Sequence, residues 1–264
     1  MHDEWSEAVD THSQAADRLL EAARSGKQCP PVRDLLATAA DGYAVQEINT
    51  RRALAEGRRP VGRKIGLTNA EAQRRFGIDQ PDCGMLFADM ALPEGQPVAL
   101  SRFLQPKVEA EVAFVMAADL EGGPFTVADV IRAVDFVLPA IEIADSRVAD
   151  WDITLTDTIA DNGSAGMFVL GNTPMPLRGL DLGAAAMTMT SDGVMVSAGS
   201  GAAVLGHPLN ALVWLAGFTG DGERPLRAGD VVLTGTMGPV VDPAAGQSYE
   251  ARIEGLGTVR VSFG

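Results

Sequence analysis

The chain has 264 residues, 46% of them hydrophobic and 21% charged, a balance that places it among folded globular proteins and excludes a disordered or fibrous chain. Its 21 basic and 35 acidic residues give a net charge of −14, a surface that repels phosphate backbones and anionic lipid and argues against nucleic-acid or membrane-surface partners. Cys29 and Cys83 are too few and too far apart for a disulfide framework or a C-x-x-C site, so two reduced thiols are expected.

From the N-terminus, MHDEWSEAVDTH is acidic and polar, unlike a secretory signal, and no run reaches the ~18 apolar residues of a membrane span. A cytoplasmic protein is expected. Ala15, Leu19, Ala22 and Ala23 recur at helical spacing, Pro30-Pro31 breaks the run, and Val32, Leu35, Leu36 and Ala39 open a second amphipathic stretch. Asp41 to Leu54 forms a third, so residues 1–57 read as an N-terminal helical layer. Residues 58–264 read as a β-rich body of short runs bounded by Gly, Pro and Asp. Strands are predicted over Val61 to Thr68, Gln105 to Met116, Leu138 to Ala144, Met187 to Thr190, Val194 to Ser197 and Asp230 to Thr234. A hairpin over Glu250 to Phe263 turns at Gly255 and Gly257. TVADVIRAVDFV reads as a helix capped by Thr126, with Asp129 three residues on, and HPLNALVWLAGF as a helix beginning at Pro208. Helices first and a β-rich body with inserted helices after make the class α+β; strict βαβα alternation is missing.

The segment PKVEAEVAF is the most informative. Alternation along a strand puts Glu109 and Glu111 on one face with Ala113 and Val115, and Val108, Ala110 and Val112 on the other. Two unscreened carboxylates about 4 Å apart repel by about 4 kcal/mol at an effective dielectric of ~20, a cost removed by a shared proton or a divalent ion. Glu142, between Ile141 and Ile143, is a third acid, and so apolar a strand calls for a partner. Three carboxylates without a His or Cys ligand suit Mg²⁺ or Mn²⁺ and not zinc. The other reading of the same residues is an exposed edge strand whose acids pair with arginines.

Other residues are also open to two readings. Lys64 lies on the face of VGRKIGLT lined by Gly62 and Gly66, where a ligand approaches the backbone closely, or else it is a surface lysine on an edge strand. Asp82 in DQPDCG is a turn or capping acid, or a site residue. Ser164 in DNGSAG belongs to a tight turn or to an anion-binding loop of backbone N–H groups. His2, His12 and His207 are scattered and build neither a zinc site nor a nucleophile triad, and GSGAAVLG lacks the G-x-G-x-x-G spacing.

Taken together, VGRKIGLT, FGIDQPDCGMLFADM, QPKVEAEVAFVM, PAIEIADSR, DTIADNGSAGMFVLG, GHPLNALVWLA and LRAGDVVLTGTMGP resemble, in this order, the 2-keto-4-pentenoate hydratases of the fumarylacetoacetate hydrolase superfamily. The resemblance runs from about residue 15 to 264. It implies a mixed β-roll core with an N-terminal helical layer, and Mg²⁺ or Mn²⁺ held by Glu109, Glu111 and Glu142. Lys64, Asp82 and Ser164 would line the pocket: Lys64 and Asp82 in proton transfer, Ser164 and Lys64 in binding a small anionic 2-hydroxy or 2-oxo acid. The implied reaction is addition of water to a 2-hydroxy-2,4-dienoate in meta-cleavage catabolism of aromatic compounds. The implied assembly is a homo-oligomer, with a 2-oxo acid decarboxylase as a further partner. The related 4-oxalocrotonate decarboxylases share the acid trio but tend to carry proline where this chain has Ala110. A decarboxylase, or a catalytically silent metal-binding subunit of a decarboxylase complex, is the alternative.

Overall fold

The computed structural model describes residues 2–78 and 80–264. In chain order the elements are α1 (His2–Ser25), α2 (Ala39–Ala55), β1 (Pro60–Gly66), α3 (Ala70–Phe76), β2 (Asp82–Phe87), β3 (Ala91–Leu92), β4 (Pro97–Val98) and β5 (Pro106–Met116). There follow α4 (Val127–Ala133), β6 (Val134–Asp145), α5 (Leu155–Ala160), β7 (Ala165–Leu170), β8 (Ala186–Ser191) and β9 (Val194–Ser200). The chain ends with α6 (Pro208–Thr219), β10 (Val231–Thr236), β11 (Ser248–Ile253) and β12 (Gly257–Phe263).

Two mixed sheets form the body. One has the order β2-β1-β10-β5-β6-β7-β3, the other β4-β12-β11-β8-β9. In the larger sheet β1 runs parallel to β10 and β3 to β7, while the remaining neighbours are antiparallel. The alternation along β5 then decides what lies where. Val108, Ala110, Val112 and Phe114 enter the main core with Ile141 and Ile143 of β6, where they meet Met187, Met189, Tyr249, Val259 and Val261 of the smaller sheet. Helix α6 closes this core through Ala211, Leu212, Leu215 and Ala216. By length and composition the stretch Gly201–Thr219 could cross a membrane, but those four side chains are fully buried inside the fold. On the opposite face of β5, Ala113 joins a second core with Leu86, Phe87, Leu138, Ala140, Phe168 and Leu233. Glu109 and Glu111 occupy that face too, further towards the N-terminal end of β5.

The N-terminal helices differ from expectation in one place. The stretch beginning at Val32 is not a helix: Cys29 bridges to Val148, and the backbone N–H groups of Val32 and Arg33 both donate to Asp157 Oδ1, at 2.8 and 2.9 Å. The strand bridge and the two bonds to Asp157 thus fix this segment to the body in place of a helix. Helix α2 begins where its cap is built. Thr38 Oγ1 accepts from Asp41 N, and Asp41 Oδ2 accepts from Thr38 N, a reciprocal box.

Helix α4 starts as expected, with Thr126 and Asp129 forming the same box, but it stops at Ala133. Val134 to Val137 instead begin β6, paired with Met116, Val115 and Phe114 of β5. β-branched and aromatic residues with an open neighbouring strand gain more from the ladder than from another helical turn. Helices α3 and α5 and strands β2, β3, β4 and β7 are not among the elements expected from the sequence, and β2 begins where DQPDCG suggests a turn. Helix α6 begins at Pro208, with His207 Nδ1 accepting from Leu209 N at 3.0 Å.

Candidate metal centre

Strands β5 and β6 are antiparallel neighbours in the middle of the larger sheet, and their register sets Glu109 directly across from Glu142. Glu111, two residues along β5, is therefore on the same face. One carboxylate oxygen from each of the three lies within 4.8 Å of the others, the arrangement needed to hold a metal ion. The edge-strand reading of these acids does not hold, because β5 is flanked by β10 and β6. Among the described ion pairs none joins an arginine to the trio.

Glu111 and Glu142 are essentially inaccessible and Glu109 is half-buried. Glu111 Oε2 accepts from Gly235 N at 2.7 Å, but Glu111 Oε1 and both oxygens of Glu142 have no hydrogen-bond partner. Buried polar atoms are rarely left so. Burial and the neighbouring Glu142 charge push Glu109 up to about 7. Burial and the charges of Glu142 and Glu109 raise Glu111 well above the ordinary carboxylate range. Burial raises Glu142 too, against the pull of Lys64. The donor set is all-oxygen, anionic and short of positive charge, which fits a hard divalent cation.

Lys64 supplies the one buried ammonium here. Strand β1 lies between β2 and β10, so Lys64 is not on an edge, and its side chain is 5% exposed. Its Nζ donates to Gly163 O at 2.8 Å and forms an ion pair with Glu142 Oε1 at 3.2 Å, without the angle of a hydrogen bond. Burial disfavours the ammonium, yet Glu142, Asp82, Glu109 and Glu111 together hold its pKa above the ordinary value.

Asp82 is not in a turn. It is the first residue of β2, paired with Gly66 of β1, and it is buried. A Cβ on Gly66 would lie 2.2 Å from Asp82 Oδ1, so only glycine allows the carboxylate to sit there beside Lys64. Burial raises the Asp82 pKa, opposed by Lys64 and a hydrogen bond from Thr158. Its Oδ1 has no partner in the protein.

Ser164 closes a tight turn after α5, with φ 53°, and is buried. Its backbone N–H donates to Asp161 O at 2.9 Å and is therefore not free for an anion. The side chain is what remains available, 3.3 Å from Thr158 Oγ1. The turn is pinned from two sides. Asn162 accepts from Met85 N (2.7 Å) and donates to Met85 O (3.0 Å), imitating a strand partner for β2, and Arg147 pairs with buried Asp161.

Two contributors escaped the sequence reading. Thr158 touches both Asp82 and Ser164. Gln46 of α2 donates to Cys83 O and Ile159 O, each at 2.9 Å, tying the N-terminal helices to β2 and α5 behind the site. Neither lies in a pattern with chemical meaning of its own; only the segment DTIADNGSAG, quoted as a whole, contained Thr158.

Residues 48–263 match the family model for the fumarylacetoacetate (FAA) hydrolase C-terminal region. The chain belongs to the fumarylacetoacetate hydrolase family. Within it, the TodF product hydratase of Pseudomonas putida is 55% identical over 94% of this chain and 94% of its own length. The 2-keto-4-pentenoate hydratase 1 of Dechloromonas aromatica is 52% identical over 95% of this chain and 97% of its own. Among solved structures, the 4-oxalocrotonate decarboxylase from Pseudomonas putida G7, complexed with magnesium and adipate, superposes with a TM-score of 0.92 at 33% identity. That match covers 97% of this chain and 98% of the other. The mixed, curled sheets with flanking helices are thus those of the fumarylacetoacetate hydrolase fold, as the α+β reading expected.

Proposed function

We propose that this fumarylacetoacetate hydrolase family member is a divalent-metal-dependent hydro-lyase. It adds water to a 2-hydroxy-2,4-dienoate of the 2-hydroxypenta-2,4-dienoate type, giving a 4-hydroxy-2-oxo acid, in the breakdown of aromatic compounds. The observation that carries the reading is the trio Glu109, Glu111 and Glu142 beside a buried Lys64, with three carboxylate oxygens of the trio lacking a hydrogen bond. Hydratase relatives at about half identity over nearly the whole chain support the choice of reaction.

Glu109, Glu111 and Glu142 would hold Mg²⁺ or Mn²⁺. When bound, the ion supplies Lewis-acid polarisation of the substrate's C2 oxygen and a seat for its carboxylate. The protein's own groups do the rest. Three carboxylates, a dication and a substrate carboxylate sum to −2, and Lys64 offsets part of that in a chain that is negative overall. Ser164 Oγ offers a hydroxyl donor to the substrate carboxylate.

Ketonisation moves a proton from the 2-hydroxyl to C5, and hydration then places OH on C4 and H on C3. Asp82 is suited to take up and return these protons because Oδ1 has no partner in the fold, with Lys64 beside it balancing its charge. The two buried, unpaired cysteines accord with action in a reducing cytoplasm. A homo-oligomer, associating with a partner 2-oxo acid decarboxylase, belongs to the same reading.

The 33%-identical decarboxylase structure favours a second reading, loss of CO₂ from a 2-oxo dicarboxylate at the same site or support of a partner that does so. One assay separates them. Incubation with Mg²⁺ and 2-hydroxypenta-2,4-dienoate should bleach the dienoate ultraviolet band, and EDTA should stop it. CO₂ release from a 2-oxo dicarboxylate with no dienoate consumption would establish the alternative, and no turnover of either would leave the silent subunit.

A further inference from the structure

We infer that Thr158 is a positioning residue that ties back one oxygen of Asp82 and leaves the other to work. This rests on the proposed role of Asp82 in proton transfer. Thr158 lies on α5, is 4% exposed, and points its hydroxyl between two site residues from different parts of the fold. Its Oγ1 donates to Asp82 Oδ2 at 3.4 Å and stands 3.3 Å from Ser164 Oγ.

A hydroxyl has one hydrogen and accepts through its lone pairs. With Asp82 ionised, the carboxylate has only acceptors, so the Thr158 hydrogen goes to Oδ2. Thr158 Oγ1 is then left as an acceptor, and Ser164 is the donor to it. The order is Ser164 O–H to Thr158 O–H to Asp82 Oδ2. Ser164 is free to turn its hydrogen to an incoming carboxylate, because Thr158 keeps its own bond to Asp82 whether or not Ser164 stays.

Oδ1, by contrast, has no hydrogen bond and is buried. The missing side chain of Gly66 is what makes room for it, since a Cβ there would lie 2.2 Å away. Asp82 is thereby divided into an anchored oxygen and a working one. Without the anchor, the carboxylate plane turns about χ2, and both oxygens spend time away from the reacting atoms. A terminal carboxylate torsion is broad, so nothing intrinsic to aspartate holds it.

The test compares Thr158→Val, which keeps shape but loses the hydroxyl, with Thr158→Ser, which keeps the hydroxyl. In an active enzyme, T158V should lower kcat by about 10- to 100-fold. KM and Mg²⁺ affinity by calorimetry should stay within about twofold of wild type, and T158S should recover most of kcat. Combined with Asp82→Asn, T158V should add little further loss, because the two act as one unit. Unchanged kcat in T158V, or full additivity with D82N, would overturn the inference while leaving the hydration reading intact. An inactive wild type would instead overturn the hydration reading. Crystal structures then judge the positioning claim: an Asp82 carboxylate turned in T158V and unturned in T158S supports it, and one unmoved in both overturns it.

Discussion

Glutamates 109, 111 and 142 are placed where burial and mutual repulsion oppose their charge, and this has consequences at the scale of single side chains. Without a metal ion, Glu109 and Glu111 are destabilising when ionised, since like charges about 4 Å apart cost about 4 kcal/mol at an effective dielectric of ~20, whereas Glu142 is partly compensated by Lys64. Glu111→Gln removes one such charge and keeps the shape. The metal-free variant is expected to melt no lower than metal-free wild type, while losing the stabilisation that Mg²⁺ gives. At a concentration of about 100 Kd that stabilisation is about 2.7 kcal/mol. Differential scanning calorimetry with and without Mg²⁺ decides it: an E111Q protein still stabilised by Mg²⁺ as wild type is would mean Glu111 is not a ligand. Lys64 stands in a different relation to the trio. It touches Glu142 but offsets charge that arrives with substrate, so Lys64→Ala should depress kcat/KM by about 10²-fold or more and metal affinity far less. Equal losses in both, measured by steady-state kinetics and calorimetry, would reduce Lys64 to a support for Glu142.

The helices and strands that carry these residues are held by caps and captures that can be tested one by one. At the start of α2, Asp41 receives bonds from Thr38 N, Thr38 Oγ1 and Ala37 N, and its carboxyl is held below the ordinary aspartate range, chiefly by the Thr38 hydroxyl. A folded pKa below the unfolded one means the contribution is complete above about pH 4 and fades as pH falls through the folded value. Urea unfolding should therefore find Asp41→Asn destabilised by about 1 kcal/mol near pH 6, a gap that narrows towards about pH 3. A gap constant with pH would show that the cap acts without its charge. The turn bearing Ser164 depends on Arg147, whose guanidinium pairs with Asp161 and donates to the carbonyls of Asp145, Asp161 and Ala165. Arg147→Met leaves Asp161 buried and unpaired, which costs about 3–5 kcal/mol. A loss under about 1 kcal/mol in the same unfolding assay would place the stability of the turn elsewhere.

For the molecule as a whole, the arrangement of strands explains why a local reading goes as far as it does. Composition, charge and the polar-in-one-face alternation of PKVEAEVAF are properties of short segments, and they were legible at once. So were the cap at Thr126, where a side chain answers the backbone within three residues, and the start of α6 at Pro208. The second helix expected from Val32, and the run-on of α4 into Val134 to Val137, misread the chain for a common reason. In each case a distant partner, Asp157 or β5, offered the backbone better hydrogen bonds than the next helical turn would have. Asp82 read as a turn because its strand exists only by pairing with β1. By itself, then, the sequence determined an acidic α+β chain with two glutamates on one strand face, because strand alternation is a local rule, and its family resemblance named the remaining candidates. That Glu142 meets Glu109, that Lys64 lies between them and Asp82, and that Thr158 joins Asp82 to Ser164 was decided only by tertiary structure. These residues are up to about a hundred positions apart, and the register of non-local strands, with the packing of α5 and its following turn against β2, brings them within bonding distance.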